Sequence, residues 1–149
     1  MKYLLIDSGF FIALYDERDK YHQNAVEFNC EYIENTNNSL MIPWPILYET
    51  FSTRMVRKRK NIKIFHRNLR FLMERKRIHF INDLPYREKA LDDVFKELER
   101  KTEHYRDLSL VDRIVREILS ASDLKIDIFK TYNHKDFYDI CKRFRRLML

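Results

Sequence analysis

Residues 3–15 read YLLIDSGFFIALY, and the fold turns on how they are parsed. Tyr3 to Ile6 form an apolar run of strand length, with no polar alternation, as in a strand buried on both faces. The run stops at Asp7. Ser8 and Gly9 follow, and the sequence turns apolar again from Phe10 to Leu14. A strand that ends on a carboxylate just before a helix uses that carboxylate as a helix cap or as part of a site. Ser8 is a competent cap by itself, which would leave Asp7 free for the second use.

Outward from this stretch, strands and helices alternate. LMI (40–42), stopped by Pro43, reads as a second strand, IHFI (78–81) as a third and LKIDIFKTY (124–132) as a fourth. Helices are expected over 9–15, within 16–35 and over 44–60, where Pro45 occupies a first turn and Ile46, Leu47, Thr50, Phe51 and Met55 share a face. Further helices are expected over 62–76, over 87–104 and from Ser109, and a basic amphipathic helix is expected to close the chain over 134–149. NTNNS (35–39) and NDLP (82–85) read as breaks. This alternation implies an α/β fold, a three-layer α/β/α sandwich around a central, mostly parallel sheet.

Composition narrows the function. The 149 residues fit a single domain, 1–149, and 45% hydrophobic content is enough to build a core. A formal charge of +6 favours an anionic partner, nucleic acid first, although solubility alone explains a modest basic excess. One glycine in the whole chain leaves no phosphate-cradling loop, which disfavours nucleotide-cofactor chemistry. The two cysteines, Cys30 and Cys141, have no partner at metal-ligand spacing and read as ordinary thiols of a reducing compartment. No run approaches the roughly 18 apolar residues of a membrane span, so a soluble, cytoplasmic protein with no membrane partner is expected.

Ligands of open α/β sheets bind beyond the carboxyl ends of the strands. Asp7 ends strand one. Glu49 lies on the helix after strand two, beside its apolar stripe. Asn133 and Asp136 follow strand four, and Asp112 lies near the start of the helix that precedes that strand. Each has a bland alternative. Asp112 stands three residues after Ser109 and can complete a capping box. Asn133 and Asp136 can be turn and cap residues, and Glu49 can be a solvated helix residue. Carboxylates gathered in one cleft repel by roughly 4 kcal/mol at about 4 Å and an effective dielectric near 20, so they need raised pKa values or a cation. An all-oxygen set without Cys or His suits Mg²⁺ or Mn²⁺.

The segments LLIDSGFFIALYDERDKYHQNA, IPWPILYETF, LSLVDRIV and IFKTYNHKDF resemble, in order, the motifs of PIN-domain ribonucleases, and most closely those of VapC-type toxins of bacterial toxin–antitoxin pairs. The resemblance runs from Tyr3 to Phe137. It implies a PIN-like sandwich similar to flavodoxin-like folds, with an acidic quartet that binds Mg²⁺ or Mn²⁺. The first three acids fall on Asp7, Glu49 and Asp112, the implied metal ligands. The fourth position reads TYNHKDF, with Asn133 at the strict match and Asp136 three residues on, and both join the implied catalytic set. Ser8 and Thr131 are implied as groups that support the metal or phosphate. Gly9 is read as allowing close backbone approach where the strand enters its helix. The resemblance further implies an RNA substrate, a small antitoxin partner and a homodimer.

Two basic runs flank this set. Arg54, Arg57, Lys58, Arg59 and Lys60 are candidates for RNA backbone contact, and Lys142, Arg143, Arg145 and Arg146 form a second run. Solvated surface is the ordinary fate of such runs. His22 reads as a structural residue and Trp44 as core or wall. The leading expectation is a metal-dependent endoribonuclease. The alternatives are a catalytically weakened PIN-like nucleic-acid-binding module, in which Asn133 marks the decay, and a phosphatase or DNA nuclease using the same acids.

Overall fold

The computed structural model describes residues 1–99 and 107–149, with the backbone alone for residues 53 and 54. Five strands form one sheet, β1 (Tyr3–Ile6), β2 (Ser39–Pro43), β3 (Ile78–Ile81), β4 (Ile128–Lys130) and β5 (Leu147–Met148). Their order is β3-β2-β1-β4-β5 and every pairing is parallel. Leu4 pairs with Leu40 on one side and with Ile128 on the other. Leu4, Leu5 and Ile6 are fully buried, because helices cover both faces of this central strand.

The helices are α1 (Ser8–Tyr15), α2 (His22–Phe28), α3 (Trp44–Thr50), α4 (Thr53–Val56), α5 (Arg59–Glu74), α6 (Leu84–Glu99), α7 (Leu110–Ser120) and α8 (His134–Arg143). A π-helical turn, Asn29–Glu34, continues α2. Among the described residues no helix is long and apolar enough to cross a membrane. Both cysteines are free thiols, Cys30 exposed and Cys141 buried. The helix expected over 87–104 begins earlier, at Leu84, with Pro85 in its first turn, and beyond Glu99 it lies outside the described residues.

Three further expectations are corrected. The single helix over 44–60 is broken. The Thr50 hydroxyl donates to the Ile46 carbonyl at 2.7 Å, the chain leaves α3 at Phe51, and the Phe51 ring stacks on Phe65 of α5 at 5.1 Å. Tertiary packing of one ring thus overrides helix propensity. The strand expected over 124–132 is three residues long. Its lead-in folds back, and the Asp127 carboxylate accepts the Tyr3 N–H at 2.8 Å.

The third correction is the fifth strand. The closing helix stops at Arg143, and Arg145 adopts a left-handed φ of 54°. The Arg146 N–H reaches back to the Cys141 carbonyl at 2.9 Å, a helix-ending Schellman turn that feeds β5. The same device feeds β3, with Lys76 at φ 55° and the Arg77 N–H on the Leu72 carbonyl at 2.9 Å. In each turn the arginine after the left-handed residue folds inward. Arg77 donates to the carbonyls of Asn38 and Ile33. Arg146 donates to those of Leu119, Ala121, Leu124 and Ile126. Arg146 is therefore a structural clamp and not part of a phosphate-binding run.

Arg146→Ala strips the charged partner from four carbonyls and is expected to cost about 2–4 kcal/mol in urea unfolding. Lys76→Gly relieves a left-handed side-chain clash and is expected to stabilise by roughly 0.5–1 kcal/mol in the same assay. An Arg146→Ala variant as stable as the parent contradicts the clamp.

Candidate metal centre

The sheet order places its topological switch point at β1, where the chain steps to β2 on one side and later to β4 on the other. Asp7 and Thr131 leave the carboxyl ends of β1 and β4 side by side, and the Thr131 hydroxyl donates to Asp7 Oδ2 at 2.7 Å. Thr131 is fully buried. Asp7 is also the N-cap of α1, its Oδ1 accepting the Ser8 N–H at 2.7 Å. The cap is thus Asp7 and not Ser8, and the two roles proposed for Asp7 coexist on one carboxylate. The Ser8 hydroxyl is released for another partner. It donates to Glu49 Oε2 at 2.7 Å, tying the start of α1 to the last turn of α3.

Asp112 enters from α7. Ser109 and Asp112 form a complete capping box, the Asp112 N–H donating to Ser109 Oγ at 3.0 Å and the Ser109 hydroxyl to Asp112 Oδ2 at 2.7 Å. These bonds fix Asp112 Oδ2, while Oδ1 carries no hydrogen bond among the described residues. Asp112, like Asp7, thus combines a shown capping role with a candidate site position.

The electrostatics show that the three acids share one field. Burial pushes the Asp7 carboxyl above the ordinary carboxylate range, against the pull of the Thr131 and Ser8 hydrogen bonds, and the negative charge of Asp112 adds to the rise. Glu49 is raised by burial first, then by Asp7 and Asp112, while the Ser8 hydroxyl opposes. No cationic side chain is among the groups that act on either acid.

Asn133 and Asp136 form a neighbouring pair. The Asn133 amide donates to Asp136 Oδ2 at 2.6 Å, and the Asn133 backbone N–H donates to Thr131 Oγ1 at 3.0 Å. Through Thr131 this pair is linked to Asp7. Arg116 of α7 holds α8 in place, with two hydrogen bonds of 2.8 Å to the Asp139 carboxylate and one to the Asp136 carbonyl. Sequence reasoning missed Arg116, and a lone arginine in a helix offered no signal.

Gly9 is not required by its surroundings. It lies inside α1, its φ is not positive, and an added Cβ would meet Tyr132 only at an ordinary 3.8 Å. Of the first basic run, Arg57, Arg59 and Lys60 are exposed, whereas Lys58 is ion-paired with the buried Asp16. The Arg54 side chain lies outside the described residues. His22 is structural as expected, one ring nitrogen meeting the Ala13 carbonyl at 2.8 Å. Trp44, expected as core or wall, is 43% exposed.

The donor set suits a hard divalent cation. It is all oxygen and negatively charged, and among the described residues no cationic side chain acts on Asp7 or Glu49. Among the described residues no group of three or more His, Cys, Asp or Glu side chains is gathered tightly enough to enclose an ion.

No protein-family model matches the sequence, and no curated protein matches it. Two solved structures resemble the fold. The chain is similar to Mycobacterium tuberculosis VapC20, a sarcin–ricin loop cleaving toxin, with a TM-score of 0.60 and 16% identity over 91% of this chain and 94% of that one. It is also similar to VapBC2 from Rickettsia felis, solved bound to a DNA fragment from its promoter, with a TM-score of 0.52 and 16% identity over 99% and 97% of the two chains. The architecture is that of the VapC-type, PIN-like fold, as the sequence motifs implied.

A carboxyl held above its ordinary pKa keeps a proton that the unfolded chain has already released. Stability therefore falls as pH rises from the ordinary carboxyl range through the raised value, and it stays lower above it. In EDTA, Asp7→Asn, which keeps the shape and the cap acceptor, is expected to raise the melting temperature at pH 7 by a few degrees and to flatten this acid-side slope. Mn²⁺ at about 100 times its Kd is expected to stabilise the parent by about 2.7 kcal/mol and the variant by far less. Equal metal responses in the two proteins contradict the assignment of Asp7.

Proposed function

We propose that this protein is a divalent-metal-dependent endoribonuclease, the toxin of a toxin–antitoxin pair. One observation carries the reading. Asp7 and Glu49, bridged by Ser8 at the switch point of the sheet, are both raised by burial and by the added negative charge of Asp112, in a chain of net charge +6. The likeness of fold to a loop-cleaving VapC toxin supports the substrate class.

Asp7, Glu49 and Asp112 would hold Mg²⁺ or Mn²⁺. When bound, the cation supplies Lewis-acid stabilisation to a phosphodiester and lowers the pKa of a water near it. The chain supplies the geometry. Thr131 and the Ser8 N–H fix both oxygens of Asp7, Ser8 Oγ orients Glu49, and Ser109 orients Asp112. Asp136, steered by the Asn133 amide, stands at the rim as a further acceptor for a water proton. Exposed Arg57, Arg59 and Lys60 would hold RNA phosphates without reading sequence.

An antitoxin partner is supported by the VapBC2 likeness and by a cleft of about 360 Å³ between α1, the π-helical turn and α5. Phe10, Leu14, Ile33, Phe65, Leu69 and Leu72 line it, an apolar face suited to an amphipathic partner helix. The homodimer is part of the same proposal. A second reading, a nucleic-acid-binding module of weakened catalysis, is favoured by one residue, since Asn133 brings an amide to the fourth acid position.

The test is incubation of the pure protein with total cellular RNA in Mg²⁺, Mn²⁺ or EDTA, followed by mapping of new 5′ ends. Discrete metal-dependent cuts are expected, reduced at least about 100-fold by Asp7→Asn or Asp112→Asn, on the scale of losing an electrostatic stabiliser. RNA that is bound in a salt-dependent manner but left intact in every metal supports the binding-module reading.

A further inference from the structure

Helix α3 carries more than Glu49. Its outer face presents Trp44 and Tyr48, four residues apart, with ring centroids 6.2 Å from each other. Trp44 stacks at 5.5 Å and 25° on Phe80 of β3. The three rings are 43%, 65% and 37% exposed. Trp44 lies between Pro43 and Pro45, whose fixed φ angles stiffen the backbone that presents it. The cluster sits at the carboxyl edge of β2 and β3. Trp44 lies on the same helix as Glu49, roughly 7.5 Å from it along the axis. Beside Tyr48 stands the Arg87 guanidinium, anchored by the Asp83 carboxylate with one bond of 3.0 Å.

We propose that Trp44, Tyr48 and Phe80 form a stacking platform for unpaired bases of the RNA strand next to the scissile phosphate. Aromatic faces accept any base, and stacking requires that the base be free of its duplex partner. Such a platform selects single-stranded or looped RNA without reading its sequence. The site supplies what this occupant needs, solvent-exposed π-faces in a chain of net charge +6. A second copy of the chain fits less well. At 150–250 Å² per ring, the exposed parts amount to roughly 300 Å². A stable dimer needs about 800 Å² from each partner.

The inference rests on the ribonuclease reading for its substrate class, but binding alone tests it. Trp44 is the only tryptophan, so its fluorescence reports this face alone. In EDTA, a single-stranded RNA oligonucleotide is expected to quench Trp44 emission, and the same sequence in a duplex is expected not to. Anisotropy of a labelled oligonucleotide is expected to show Kd weakened roughly 5- to 150-fold by Trp44→Ala and largely restored by Trp44→Phe. Tyr48→Ala, at the most exposed ring, is expected to weaken Kd without lowering the melting temperature. Oligonucleotide binding with no Trp44 quench, or equal quench by duplex, overturns the platform. So does a Trp44 emission shift with protein concentration alone, which marks the face as an interface between copies. RNA cutting that survives Trp44→Ala unchanged overturns the platform and leaves the ribonuclease intact, whereas quenching without cutting does the reverse.

Discussion

The structure depends on a carboxylate placed where burial opposes its charge. Asp7 ends the central strand of a parallel sheet, and its two closest hydrogen-bond donors are the Ser8 N–H and the Thr131 hydroxyl, each at 2.7 Å. Both donors are consequences of topology. The Ser8 N–H is available because a helix begins there, and the Thr131 hydroxyl is available because β4 lies beside β1. Shift either strand by one residue and the donor points to the other face of the sheet. Asp112 of α7 raises the cost of negative charge on Asp7, and Asp7 and Asp112 together raise it on Glu49 of α3. Under the proposed metal role, a bound cation would relieve this cost.

Economy of side chains runs through the site. Asp7 caps α1 and Asp112 completes a capping box, and both are candidate ligands. In both cases the backbone N–H groups that a helix start leaves unpaired orient the carboxylate. The charged surface is divided in the same way. Arg77 and Arg146 are drawn inward onto carbonyls, Lys58 is spent on Asp16, and Arg57, Arg59 and Lys60 remain outward. The basic excess therefore overstates the cationic surface that is left exposed.

Much of this was legible in the sequence. Apolar runs ending on Asp7 and Pro43 located β1 and β2, and the alternation of periods implied the parallel sheet. The acids were found from the rule that sites lie beyond strand ends. What stayed hidden depends on contacts distant in sequence. Nothing in residues 44–60 announces that Phe51 leaves its helix for Phe65. The turn into β5 escaped because its left-handed residue is Arg145, where glycine is the usual signal. The release of Ser8 to Glu49 required knowing that Asp7 is the cap. The exposure of Trp44 required knowing that Phe80 lies across from it on an edge strand.

The central claim is that the acids at the end of β1 exist to hold a cation. Anomalous diffraction from crystals soaked in Mn²⁺ addresses it without reference to activity. The expected result is an anomalous peak within ligand distance of the Asp7 carboxylate and shared with Asp112 or Glu49, absent from Asp7→Asn crystals soaked identically. Ordered, ionised carboxylates at these three positions with no peak in saturating Mn²⁺ would contradict it.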